Sequence, residues 1–198
     1  MLYMRQMAIA QEVVTYLKRK PYIQEALEQD IINYSALARK IAEDLGDAPV
    51  EAVKSALIRV SKKFRAEKRE RDQVVRTLLQ QAHFSIENKI ATIHHSTFID
   101  IESVAYSKTP SGYMYFVRET KVCKGKFAKV EYGFAIIRIR SSKAIEETPG
   151  VASFLLSSLA SEGINVAHLM DCREDTFLVV HEHDAPIAYK ILAERLAN

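Results

Sequence analysis

The hydrophobic period of this chain changes once, near Phe84, and that change constrains the fold more than any single motif. Before it, apolar residues recur at the three-to-four spacing of helices with one buried face. After it they alternate in steps of two, the spacing of strands. Residues 1–82 hold one glycine, Gly46, and two prolines, Pro21 and Pro49. Val13, Val14, Tyr16 and Leu17 mark a helix over Gln11–Lys20. Pro21 suits a helix start and opens Pro21–Gln29, with Ile23, Ala26 and Leu27 on one side. Ile31 and Ile32 make a short apolar bridge. Asn33 or Ser35 caps a helix over Tyr34–Leu45 that Gly46 ends. Asp47 and Pro49 open a longer helix, Val50–Phe64, with Val53, Ala56, Leu57, Val60 and Phe64 on one face. Arg65–Asp72 has no Gly, Pro or Ser, so a helical connector is expected, followed by a helical segment over Gln73–His83.

Beyond Phe84, Ser85–His94, Tyr113–Glu119 and Phe127–Arg140 are strand-like, with turns at Pro110–Gly112 and Gly125. Thr97–Ser107 fits either a short helix or a strand. From Val130 the order is clearer. Strand Val130–Arg140 leads through Thr148-Pro149-Gly150 to helix Val151–Glu162, which Gly163 ends. Strand Ile164–Cys172, a turn at Arg173–Asp175, strand Thr176–Glu182 and a helix Ala185–Leu196 capped by Asp184 follow. That is a β-α-β-β-α order with no final strand. Glu87–Ile93 also resembles Glu131–Ile137, matching Ala91 to Ala135 and Ile93 to Ile137, as two copies of a strand-led unit would.

Charge is uneven. Residues 1–82 carry 15 Lys/Arg against 11 Asp/Glu, and residues 83–198 carry 13 against 14. Within Lys54–Arg76 the balance is nine to three, a basic stripe that suits an anionic partner for the helical part alone. The alternative is a solvated helix laced by Glu67, Glu70 and Asp72. With 48% hydrophobic and 27% charged residues, disordered and collagen-like classes are excluded. No apolar window of about 18 residues exists, so no membrane-spanning helix is expected. Met1–Ala10 contains Arg5 and no cleavage-site pattern, so no signal peptide is expected. Cys123 and Cys172 form no CxxC pair and are expected as reduced thiols, Cys172 buried or half-buried, with the cytoplasm as default compartment.

No GxGxxG, P-loop, HExxH or GxSxG motif is present. His181 and His183 share one face of a strand but lack a third ligand, and the acidic residues show no pairing for acid–base work. Neither a catalytic role nor a metal or other cofactor is expected.

Three motifs carry a family resemblance: Thr148-Pro149-Gly150-Val151, Gly163-Ile164-Asn165-Val166, and Asp175–Val180 followed by Asp184-Ala185. In this order they resemble an ACT domain, in particular the regulatory domains of aspartokinases, over about a third of the chain. The resemblance implies an amino acid or similar small metabolite bound by Thr148, Pro149, Gly150, Val151, Asn165 and Val166, commonly across a two-fold interface. The chemistry agrees. A Gly at a helix N-terminus exposes N–H groups to a carboxylate, and Asn165 offers donors and acceptors together. The alternative is that Pro149-Gly150 is only a turn and Asn165 only a strand-initial residue. The missing last strand would come from the preceding region or a second protomer. Residues 84–129, lacking such a Gly-containing loop, are expected not to bind the same ligand.

The N-terminal part resembles a helix-turn-helix or winged-helix module. Asn33–Ile41 is its second helix and Pro49–Phe64 its recognition helix, with a longer loop than the simple motif and no obvious wing. Lys54, Ser55, Arg59, Lys62, Lys63, Lys68 and Arg69 would contact DNA, since Lys and Arg meet phosphates and Arg also reads guanine edges. The alternative is a helical dimerisation bundle. The expected fold class is α+β. A helix-turn-helix-like domain with a basic connector helix spans 1–72, and a degenerate ACT-like β-rich unit spans 73–129. A ferredoxin-like ACT-type sensing unit spans 130–198, the last two forming a tandem or intertwined pair. The expected function is an amino-acid-responsive, homodimeric, DNA-binding transcriptional regulator. The alternative is a regulatory subunit or structural dimer module acting through protein contacts.

Overall fold

The computed structural model describes residues 2–46, 48–122, 127 and 129–197. Asp47, Cys123 and Gly125, to which the sequence assigns a cap, a thiol and a turn, lie outside the described residues. The chain divides into two compact units, Met1–Gln73 and Val74–Asn198.

The first unit contains α1 (Leu2–Lys18), α2 (Pro21–Glu28), α3 (Tyr34–Asp44) and most of α4 (Val50–Gln80). Pro21 fills the first position of α2, where a missing N–H costs nothing. The Asn33 side chain caps α3 by accepting the Ala36 N–H at 3.0 Å. Gly46 follows α3 at φ +80°, a left-handed conformation that glycine adopts without strain. Val13, Leu17, Leu27, Ala38, Ile41, Val53, Leu57 and Phe64 meet in one core. Ile31 is exposed rather than part of an apolar bridge, since it stands in the turn before α3. The segments expected at 50–64, 65–72 and 73–83 are one helix of 31 residues, because no helix breaker falls within it.

The second unit begins with the last turns of α4. It continues through β1 (His83–His95), β2 (Ala105–Thr109), β3 (Gly112–Arg118) and a 3-10 turn (Glu119–Lys121). β4 (Lys129–Arg140), α5 (Ala144–Glu147), α6 (Val151–Ala160), β5 (Val166–Cys172), β6 (Asp175–His181) and α7 (Ala185–Ala197) complete it. All six strands join one antiparallel sheet in the order β2-β3-β1-β4-β6-β5. Residues 96–104 form no regular helix or strand, and the strand of the ambiguous segment begins only at Ala105.

The order is the same read outward from either side of the centre. β1 and β4 are neighbours, each followed outward by the second strand of a hairpin and then its first. The register repeats this symmetry. Ile90 pairs with Phe134, 44 positions later, while Ile93–Val130 mirrors Ile86–Ile137 and Thr92–Glu131 mirrors Glu87–Ile136. The seven-residue repeat of the sequence falls on this centre. Its matched residues Lys89 and Gly133 both have positive φ, +60° and +82°, and the register shifts beside them.

The sheet is buried on two faces. Ala135, Ile137, Ile139, Leu178 and Val180 pack beneath α6, α7 and the Val75 and Leu79 side chains of α4. Ile90, Phe116, Phe134, Ile136 and Val179 form the core of the opposite face. This explains the apolar run Phe134–Ile137, since a strand covered on both sides shows no alternation. In the β1–β3 half, Ala91, Ile93, Tyr115 and Val117 are covered by Ile99, Ile101, Val122 and Phe127 instead of by helices. Curling brings β3 and β5 close enough for Phe116 and His168 to meet edge to face, ring centroids 5.1 Å apart.

Candidate functional site

The strand-to-helix turn at the start of α6 is built by Gly150, at φ +102°. Its carbonyl accepts the Phe154 N–H at 2.8 Å, which starts the helix. Pro149 and Gly150 are exposed, whereas Val151 belongs to the core. The Thr148 hydroxyl donates to the Ala144 carbonyl at 2.7 Å and so faces back over α5. At the other end of α6, the Ile164 N–H donates to the Leu159 carbonyl. Asn165 follows, exposed, and Val166 packs half-buried against the core. The two halves of the expected ligand site therefore stand at opposite ends of a ten-residue helix, about 15 Å apart at 1.5 Å per residue. One chain does not bring Thr148–Val151 together with Asn165 and Val166.

Concavities of the same unit are lined by other residues. A groove of about 660 Å³ lies between the free edges of the sheet, with Ala105–Ser107 of β2 on one side and Met170–Cys172 of β5 on the other. A smaller cavity of about 330 Å³ contains Arg138 and Asp175. The Arg138 guanidinium donates to both Asp175 oxygens at 2.8 Å, a bidentate geometry that holds the Asp175 carboxyl below the usual carboxylate range. Cys172 is exposed, not buried, because it ends an edge strand beside the Arg173 turn. His181 ends β6 and stacks on Phe134, while His183 lies in the turn beyond the strand and stacks on His181, centroids 5.6 Å apart. Among the described residues no three His, Cys, Asp or Glu side chains gather as a metal-binding set.

All seven residues expected to contact DNA lie on α4 in the first unit. The helix buries Val53, Ala56, Leu57, Val60 and Phe64. Ser55, Arg59, Lys62 and Arg69 fall on the opposite side at three-to-four and seven spacing and are exposed. Lys54 is half-buried at the flank. Lys54, Arg59, Lys62 and Arg69 have no ion-pair partner among the described residues. Two of the seven are engaged. Lys63 lies 3.7 Å from Glu67, one turn on, and Lys68 lies 3.5 Å from Glu28, whose side chain is only 7% exposed. A carboxylate so buried requires a cation, so Lys68 has a structural task.

The sequence reading missed the polar cluster that fastens α3 to α4. The Arg65 guanidinium donates to the Tyr34 hydroxyl at 2.9 Å and pairs with Asp30 at 2.8 Å; the same hydroxyl lies 3.0 Å from Ser61 Oγ, a buried side chain. A serine among apolar residues on the core face of a helix was the available signal, since a buried hydroxyl requires a partner.

No family model matches the chain, and no curated protein matches its sequence. Solved structures do. A protein of unknown function from Vibrio cholerae, described as a possible transport protein, superposes with a TM-score of 0.52 at 18% identity, covering 65% of this chain and 99% of that one. Escherichia coli aspartokinase III in complex with aspartate and ADP gives a TM-score of 0.49 at 12% identity over 61% of this chain and 34% of that one. The ligand-free regulatory subunit of aspartate kinase from Thermus thermophilus gives 0.44 at 10% identity over 56% and 95%. The Vibrio structure shares the fold, helices on an antiparallel sheet, and says nothing of this chain's function.

Proposed function

We propose that this chain is a ligand-responsive regulatory protein, in which an ACT-like C-terminal unit senses an amino acid or similar small metabolite and the helical unit contacts DNA. The observation that carries the reading is the position of β1. The β4-α6-β5-β6-α7 series lacks its last strand, and β1 pairs with β4 on the side away from β6. The sheet β1-β4-β6-β5 is then the ferredoxin-like arrangement with its fourth strand supplied by the preceding region. Because the Gly150 turn and Asn165 stand at opposite ends of α6, a ligand touching both must bridge two copies, which makes the sensing form a homodimer. The reading assigns no catalysis to the chain.

DNA contact is supported by the exposed cations Arg59, Lys62 and Arg69 on the outer side of α4, which have no ion-pair partner among the described residues. Each phosphate contact releases counterions, so the slope of log affinity against log salt should fall by about 0.9 for each cation lost. Fluorescence anisotropy with a duplex DNA, comparing the full chain with its Arg59→Ala/Lys62→Ala/Arg69→Ala variant across salt, tests this. A shallower slope and weaker binding in the variant are expected; identical curves would rule out α4 as the contact surface. Contact with a protein through the same helix is favoured by Ile58, a large apolar side chain 37% exposed among these cations. That reading predicts no salt-dependent DNA affinity at all.

A further inference from the structure

We infer that the groove between β2 and β5 binds an extended segment of a partner protein, with a basic residue between apolar ones, which adds to the sheet as a strand along β5. This contact is independent of the ligand and DNA contacts of the proposed function. In a flat sheet β3 and β5, four strand spacings apart, would stand about 19 Å from one another. Phe116 and His168 instead meet with ring centroids 5.1 Å apart, so the sheet is strongly curled. The curl does not close into a barrel. Among the described residues β2 pairs with β3 alone and β5 with β6 alone, and the two free edges line opposite sides of a groove of about 660 Å³. Every second residue of such an edge turns its main-chain N–H and C=O away from the sheet, toward any strand that lies beside it.

β5 is the better edge of the two. From His168 to Cys172 it runs in regular register without proline, bulge or lysine, the usual protections of an exposed edge. Its side chains select an alternating neighbour. Met170 turns to the inner face, where it packs half-buried with Val104, Ala105 and Phe177. Asp171 turns to the opposite face, where the buried Thr176 hydroxyl donates to it at 2.9 Å. Asp171 is exposed and has no ion-pair partner among the described residues, and no Lys or Arg lines the groove. The other carboxylate of the groove, Asp175, is already held by Arg138. Leu169, on the same face as Asp171 and 39% exposed, offers an apolar bed for the methylene stem of a lysine. A strand laid along β5 therefore places apolar side chains beside Met170 and a cation beside Asp171 at successive positions. An acidic segment would meet Asp171 unpaired, and a wholly polar one would leave Val104, Met170 and Phe177 without apolar neighbours.

Titration of a fluorescein-labelled peptide that alternates lysine and valine with the full chain, read by anisotropy, tests the site. Saturable binding is expected. N-methylation of alternate peptide amides removes main-chain donors and keeps every side chain, and should weaken binding at least about tenfold. A peptide of the same composition with its lysines and valines in two blocks should lose as much, since it cannot present one kind to each face. Asp171→Asn should weaken the lysine peptide about threefold, as an exposed pair does, and leave a glutamine–valine peptide unaffected. The asparagine side chain keeps a carbonyl to accept the Thr176 hydroxyl, and circular dichroism confirms that the variant is folded. The inference is overturned if the alternating peptide does not bind, or if the N-methylated or block peptide binds as well, which would make the groove a site for apolar side chains rather than for a strand. It is equally overturned if Asp171→Asn changes both peptides alike, or if affinity falls as the chain is concentrated, which would show a second copy in the groove.

Discussion

Asp175 opens β6 and takes both arms of the Arg138 guanidinium from β4. The pair ties two neighbouring strands, and Arg140 adds a weaker contact at 4.0 Å. Hydrogen bonding by Arg138 favours the ionised carboxylate, so Asp175 titrates lower in the fold than its unfolded value of about 3.9. A lowered folded value gives stability that is complete above the unfolded value and is lost as pH falls through the folded one. Asp175→Asn should therefore cost about 1 kcal/mol at neutral pH, the low end for a charged hydrogen-bonded pair because Arg138 is 41% exposed. It should also flatten the fall of urea stability on acidification below about pH 4. Equal acid slopes in the two proteins would contradict this assignment.

At the scale of elements, the two central bulges test the internal symmetry. Gly133 at φ +82° has open space where a Cβ would stand, and Lys89, at the matching place in β1, already holds φ +60°. Gly133→Lys should cost only about 1 kcal/mol, the ordinary penalty of a left-handed side-chain residue. Gly112 differs. It ends the β2–β3 hairpin at φ +131°, where a Cβ would lie 2.4 Å from the His95 carbonyl oxygen, so Gly112→Ala should cost about 3 kcal/mol or more. Urea unfolding of both variants decides this, and equal costs would contradict it. The repeat around these bulges was legible in the sequence because Ala91 and Ala135, Ile93 and Ile137 occupy matched buried positions. The helix-free crossover at 96–104 was not, since its apolar residues Phe98, Ile99 and Ile101 follow neither period. The Lys68–Glu28 pair was equally hidden, because partners forty positions apart leave no local pattern. The separation of Gly150 from Asn165 was available from helix length alone: ten helical residues cannot bring their flanks together.

At the scale of the whole molecule, the exposed cations of α4 and the six-stranded sheet lie in different units. The cations stand in Met1–Gln73, and the Gly150 turn in Val74–Asn198. α4 alone runs through both, carrying Lys62, Arg69 and then Arg76 without a break. The proposed regulation requires linkage: a ligand that prefers one state of the C-terminal unit changes DNA affinity by a definite factor, and DNA changes ligand affinity by the same factor. No helix among the described residues is long and apolar enough to cross a membrane. The direct measurement is the dissociation constant for duplex DNA at fixed salt, with and without a saturating amino acid that the chain binds. A change of at least about fivefold is expected, matched by an equal change in amino-acid affinity when DNA is present. DNA affinity identical with and without the bound amino acid would contradict it.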